Sequence, residues 1–163
     1  MQFRNLNESE IEVRIAQIKE GKGASLLLYK DARCDMNILD ETVGSENWQR
    51  EHYECKGNLF CRVGIKCDGE WIWKSDCGTE SNTEAQKGEA SDSFKRACFN
   101  WGIGRELYTA PFIFIGLECV NLYGKKTYDK FAVEKIRIEN KRITGLSIRN
   151  VTLNKRVFVW TSK

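Results

Sequence analysis

Between Glu89 and Tyr108 the chain reads Glu-Ala-Ser-Asp-Ser-Phe-Lys-Arg-Ala-Cys-Phe-Asn-Trp-Gly-Ile-Gly-Arg-Glu-Leu-Tyr, a run that commits the fold to one long helix with a fixed end. At about 100° per residue, Phe94, Ala97, Cys98 and Trp101 gather within about 80° of Ala90 and form a buried stripe. Lys95 and Arg96 fall on opposite shoulders of the other face, with Phe99 between them. Two cations flanking a ring suit a phosphodiester chain: the cations neutralise phosphates and the ring stacks a base. A solvated charged face, with Phe99 packed at a subunit contact, satisfies the same spacing. Gly102 and Gly104 supply the backbone freedom to end the helix, and Pro111 blocks any continuation.

Upstream, Ile11, Ile15 and Ile18 recur at intervals of four and three, which predicts a helix over Ser9 to Lys19, ended by Gly21-Lys-Gly. Leu26 to Tyr29 is a short strand candidate. Met36 to Val43 reads as a small helix with Asp35 as its N-cap and Gly44 as its stop. Three strands follow: Asn47 to Cys55, Leu59 to Cys67 and Glu70 to Asp76, turned at Lys56-Gly57-Asn58 and at Asp68-Gly69. Alternation along the middle strand puts Leu59, Cys61, Val63, Ile65 and Cys67 on one face. The long helix, Thr83 to Trp101, comes next. Phe112 to Ile115 is a buried strand or a contact to a neighbour. Phe131 to Glu139, Ile143 to Arg149 and Lys155 to Trp160 close the chain as a meander, with turns at Asn140-Lys141 and Asn150 to Asn154. The order β-β-β-α with a further meander gives an α+β domain. At 163 residues the expectation is a single domain over residues 1–163.

Net charge is only +3, but it is segregated. Residues 121–163 hold eleven Lys or Arg against three acidic residues, whereas residues 1–120 hold fifteen against twenty. A local positive field is therefore possible, as is a set of hairpins with solvated basic outer faces. No apolar run approaches a membrane span and Met1-Gln-Phe-Arg-Asn has no signal-peptide core, so a cytoplasmic protein is expected. Seven cysteines without a secretory signal predict reduced thiols, and none of the Cys55, Cys61, Cys67, Cys77 spacings forms the Cys-x2-Cys pair of a zinc site.

Catalytic readings find little support. Gly21-Lys22-Gly23-Ala24-Ser25 is not a P-loop, and Gly102-x-Gly104 follows a helix where a dinucleotide fingerprint would precede one. His52, the single histidine, sits in a strand beside Glu51 and Tyr53. A metal-dependent nuclease built from Asp76, Glu80, Glu84, Glu89, Asp92 and Lys74 is the serious enzyme alternative, although Glu84, Glu89 and Asp92 point to different sides of the helix. A protein-interaction or inhibitor domain is the other. No catalytic residue, cofactor or metal is expected.

Glu89-Ala-Ser-Asp-Ser-Phe-Lys-Arg-Ala followed by Gly102-Ile-Gly-Arg-Glu-Leu-Tyr resembles the signature helix of phage single-strand annealing proteins of the Rad-fifty-two type, the Sak-like branch. The likeness extends through Tyr29-Lys-Asp-Ala-Arg33, Asn47-Trp48, Trp71-Ile-Trp-Lys-Ser-Asp-Cys-Gly78 and Phe131-Ala-Val-Glu-Lys-Ile-Arg137, about residues 24–161 in all. It implies a curved antiparallel sheet with the long helix packed on it, and ATP-independent binding and annealing of single-stranded DNA in recombination and repair. It also implies a homo-oligomeric ring or helical filament. By motif position it gives groove roles to Arg33, Lys95 and Arg96, with Phe99 replacing a further basic residue and Arg105 as a weaker candidate. Phe112 and Phe114, just past the Gly-rich exit, are the candidate oligomer contact. Phage members are expected to meet a host single-strand-binding protein through a C-terminal tail. This chain ends at Lys163 just past its last strand, so that contact is expected to be absent or its tail removed.

Overall fold

The computed structural model describes residues 1–79 and 85–163, with the backbone alone for residues 85–87. It is an α+β protein with a curved antiparallel sheet, two helices and additional C-terminal strands, as the sequence order implies. In chain order the elements are β1 (Glu12–Lys19), β2 (Gly23–Tyr29), α1 (Ala32–Val43), β3 (Trp48–Cys55), β4 (Asn58–Cys67), β5 (Glu70–Cys77), α2 (Ala85–Asn100), β6 (Ile113–Gly116), β7 (Phe131–Glu139), β8 (Arg142–Asn150) and β9 (Lys155–Thr161). Two compact units divide the chain: Met1–Arg4 with Asp31–Gly104, and Asn5–Lys30 with Arg105–Lys163. Among the described residues no helix is long and apolar enough to cross a membrane.

The first unit is the β-β-β-α core. β3, β4 and β5 form an antiparallel meander whose two hairpins turn at Lys56-Gly57 and Asp68-Gly69, all four residues at positive φ. That is the turn whose twist matches paired strands, and glycine at the second position makes it inexpensive. Cys61, Val63 and Ile65 on β4 are fully buried, and α2 covers them with Phe94, Ala97 and Cys98. Each large apolar side chain in this layer contributes about 1.5–3 kcal/mol relative to exposure. Gly78, just past β5, lets strand and helix approach closely. A β-carbon there would overlap the Glu89 carbonyl and stand 2.8 Å from the Ser93 nitrogen.

α2 ends as the sequence predicts; the expected start at Thr83 lies outside the described residues. Gly102 at φ 103° donates to the Phe99 carbonyl and Ile103 donates to the Cys98 carbonyl, at 2.9 and 3.1 Å. These two bonds satisfy carbonyls that the last turn leaves open, and the left-handed residue between them favours glycine. The cap of α1 needs correcting. Asp31, not Asp35, accepts the Arg33 N–H at 2.6 Å, and the helix starts four residues earlier than expected. Asp35 lies fully buried within the first turn.

The second unit is a six-stranded sheet in the order β6-β2-β1-β7-β8-β9, with every neighbouring pair antiparallel. Its strands β7, β8 and β9 fall within a residue of the expected meander. The helix expected over Ser9 to Lys19 is instead a short 3-10 turn, Glu8–Glu10, followed by β1. A register shift between Ile15 and Gln17 explains the misreading. The extra residue of a bulge puts Ile15 and Ile18 on one side of a strand, a spacing that mimics a helix. Gly23, at φ 144°, lets β2 lie against β6, because a β-carbon there would run into the Ile115 carbonyl.

Candidate nucleic-acid interface

α2 sets the geometry. Its apolar stripe is sealed against β4 and β5, so its opposite side faces away from the sheet. Arg96 is exposed there, while Lys95 and Phe99 are half-buried. Arg96 Nε lies 3.5 Å from Asp76 Oδ1 on β5, and the two side chains stay 45% and 28% exposed. Asp76 is itself fixed: Oδ1 accepts the Cys77 N–H at 2.7 Å and Oδ2 accepts from the Asn100 amide at 3.4 Å. Lys74, two residues earlier on the same side of β5, donates to the Asn100 carbonyl at 3.3 Å, and its ammonium sits 4.6 Å from the centre of the Trp101 ring. That carbonyl belongs to the C-terminal end of α2, where the helix dipole favours a cation.

Lys74, Asn100, Asp76 and Arg96 thus form one linked cluster along the end of α2. From the sequence, Lys74 and Asp76 stand in the nuclease alternative and in the Trp71–Gly78 motif, with no groove role assigned to either. Their spacing of two on a strand, beside residues 96 and 100 one helical turn apart, is the signal that would have joined them. An exposed ion pair such as Arg96–Asp76 is worth about 0–1 kcal/mol. A phosphate oxygen can therefore compete for the guanidinium, which keeps donors beyond the one facing Asp76.

The other sequence candidates divide between the units. Arg33 lies in the first unit, exposed in the opening turn of α1, and α1 packs against α2. The neighbouring motif Asn47-Trp48 ties α1 to β3: Asn47 donates to the Val43 carbonyl at 2.8 Å and the Trp48 indole to Asp40 Oδ1 at 2.6 Å. Arg105 belongs to the second unit, exposed at the start of a 3-10 turn, Arg105–Thr109. In β6, Ile113 and Ile115 are 2% exposed, whereas Phe112 beside them is 77% exposed and Phe114 37%. β6 is an edge strand, and Phe114 shares its outer face with Leu27 of β2, also exposed.

The carboxylates weighed for a nuclease are spoken for separately. Glu89 accepts the Leu59 N–H at 3.0 Å, Asp92 accepts the Thr79 N–H at 3.0 Å, and Asp76 holds Arg96. Glu80 and Glu84 lie outside the described residues. Among the described residues no three His, Cys, Asp or Glu side chains gather as metal ligands would. His52 lies with Nε2 3.1 Å from the Ala90 carbonyl, a contact in which its N–H donates. All seven cysteines are free.

The basic surplus after residue 120 is partly neutralised within its own sheet. Arg156 and Arg149 both pair with Glu134, and the hydrogen bond from Arg156 holds that carboxyl below the usual carboxylate range. Lys155 donates to the Glu118 carbonyl at 2.6 Å. Lys125, Lys126, Lys135 and Arg142 remain exposed.

A three-stranded antiparallel sheet backed by a helix, with a lysine, an arginine and a ring on the outer side of that helix, defines an α+β protein with a cationic helix face. The chain belongs to the Rad52/22 family of double-strand break repair proteins, which matches residues 4–121. No curated protein matches it.

Proposed function

We propose that this chain binds single-stranded DNA along the outer side of α2 and anneals complementary strands without nucleotide hydrolysis. The observation that carries the reading is the exposed Arg96 beside Lys95 and Phe99 on a helix whose other side is sealed into the core. Membership of a double-strand break repair family supports it. Lys95 and Arg96 would take phosphates, Phe99 would stack a base, and Lys74 would add a cation at the helix end. Arg33 and Arg105 are further phosphate contacts in this reading.

Annealing needs no bond chemistry in the protein, because base pairing supplies the free energy. The protein's task is to hold a strand extended, screen its charge and leave base edges free to test a partner. One helix face is too short for that, so the active form is a ring or helical filament of identical subunits joining many faces. Phe112 and Phe114 are the proposed contact, since two exposed rings, one just before the edge strand β6 and one on it, lose their exposure against a neighbour. The reading treats residues 1–163 as a single annealing domain from the phage Sak-like branch, working in the cytoplasm of a bacterial host.

Equilibrium binding to matched single-stranded and duplex oligonucleotides tests the proposal, with light scattering on the same samples. Preference for the single strand by particles larger than a dimer is expected. Equal affinity for duplex, or a monomer with and without DNA at micromolar concentration, would contradict it.

A further inference from the structure

The three-stranded sheet of the first unit has a second face. Registry places Tyr53, Phe60, Arg62, Lys66, Trp71 and Trp73 together on the side of β3, β4 and β5 that α2 does not cover. Directly opposed residues of antiparallel strands project to the same side, and the alternation that buries Cys61, Val63 and Ile65 turns these six outward. We infer that this face is a stacking platform for a single-stranded nucleic acid, separate from the cationic side of α2.

The rings are held in place. Trp73 lies over Gly64, where a β-carbon would stand 2.8 Å from the indole, so the glycine lets the ring rest on the strand backbone. Arg62 covers Trp73 with its guanidinium 4.1 Å from the ring centre, and Glu51 fixes it through a 2.7 Å hydrogen bond. Tyr53 and Phe60 stack across the other strand pair, with centroids 5.5 Å apart and planes 21° from parallel. Trp71 and Tyr53 each keep 39% of their surface exposed. A ring fixed in advance loses little freedom when a base settles on it.

Charge and ring exposure select the occupant. Lys66 is the cross-strand neighbour of Trp71, exposed, and has no carboxylate partner among the described residues. With Arg62 already neutralised by Glu51, the face carries one uncompensated positive charge beside its most exposed indole, which suits a phosphate next to a stacked base. Trp73 lies 6.3 Å from Trp71, centre to centre, and is closed by Gly64 beneath and Arg62 above, so Trp71 is the indole left open to a base. A base of a single strand can settle on that open ring, whereas a duplex, with its base faces already closed, offers nothing to stack.

Photocrosslinking tests the assignment. The full chain is irradiated with an oligo(dT) carrying 5-bromodeoxyuridine, and the adducts are mapped by mass spectrometry. Adducts on the peptide holding Trp71 and Trp73 are expected. W71A should remove them and weaken binding by about fivefold or more, the effect of losing one stacked base. K66E, which leaves the rings untouched, should lower both yield and affinity as well, so misfolding of the tryptophan variant cannot mimic the result. Adducts confined to α2, with affinity unchanged in both variants, would overturn the platform while leaving the helix site standing. No binding anywhere would overturn both. If a second copy of the chain covers this face, Trp71 will be shielded from acrylamide quenching before DNA is added and W71A will shrink the particle, which also overturns it.

Discussion

Replacing Lys95 and Arg96 together by alanine is expected to weaken single-strand binding and flatten its salt dependence while leaving the fold intact. The stability cost is small on structural grounds. The Arg96–Asp76 pair is 3.5 Å long with both partners partly solvated, and Asp76 keeps its bonds from the Cys77 N–H and the Asn100 amide when the arginine is gone. An exposed pair of this kind accounts for about 0–1 kcal/mol. Urea denaturation should therefore show a loss of no more than about 1 kcal/mol. Binding changes more. Each phosphate neutralised on a single strand contributes about 0.7 to the slope of log affinity against log salt, so two lost contacts lower that slope by about 1.4 per subunit engaged. Between about 50 and about 200 mM salt, wild-type affinity should fall about sevenfold more steeply than the variant's. Fluorescence anisotropy of a labelled oligo(dT) across that range reads both quantities. An unchanged slope with unchanged affinity would place the DNA elsewhere on the protein.

Phe114→Glu should split the assembly into smaller, folded subunits by light scattering and circular dichroism; global unfolding would instead assign the ring to its own core. Gly78→Ala should cost about 1–3 kcal/mol in urea denaturation, because its methyl group meets the Glu89 carbonyl and the Ser93 amide of α2; an unaffected midpoint would refute the close strand–helix approach. Burial pushes the Cys61 thiol up to about 11, with nearby Arg50 pulling it partly back, so it stays protonated at neutral pH. Iodoacetamide at mildly alkaline pH should label exposed Cys55 first and reach buried Cys34, Cys61 and Cys98 only after unfolding, and native-state labelling of Cys61 would contradict its burial.

The long helix and the β-β-β-α order are legible in the sequence because each signal there is local. A stripe at helical spacing, Asp-Gly and Lys-Gly turns, and alternation along one strand all act within a few residues. β1 is not legible, since a bulge at Ala16 gives its isoleucines helical spacing, and only pairing with β2 decides the matter. Asp31 is hidden as a cap because Asp35 offers the same chemistry one turn later, and burial of Asp35 in the packed helix excludes it. In the candidate site, Lys95, Arg96 and Phe99 follow from helix angles alone. The contribution of Asp76 and Lys74 does not, for it arises where β5 meets the end of α2. Glu106, which the sequence shows only as part of the Gly-x-Gly-Arg-Glu exit, is fully buried and accepts the Leu6 N–H at 2.7 Å. That contact spans a hundred residues, and no periodicity signals it. The aromatic face of β3, β4 and β5 lay between the two: Trp71 and Trp73 are visible as an alternating pair, but Gly64 beneath and Arg62 above require the registry.

Annealing itself is the most direct measurement. Two complementary oligonucleotides, each labelled with one dye of a fluorescence-transfer pair, are mixed with the protein in EDTA and without nucleotide, and the rate of pairing is followed. The account predicts faster pairing than with the strands alone, with the gain lost when Lys95 and Arg96 are both alanine. Pairing no faster than the spontaneous rate, or a need for nucleotide, would contradict it. Strand cleavage on adding Mg2+ that depends on Asp76 or Glu84 would contradict it as well.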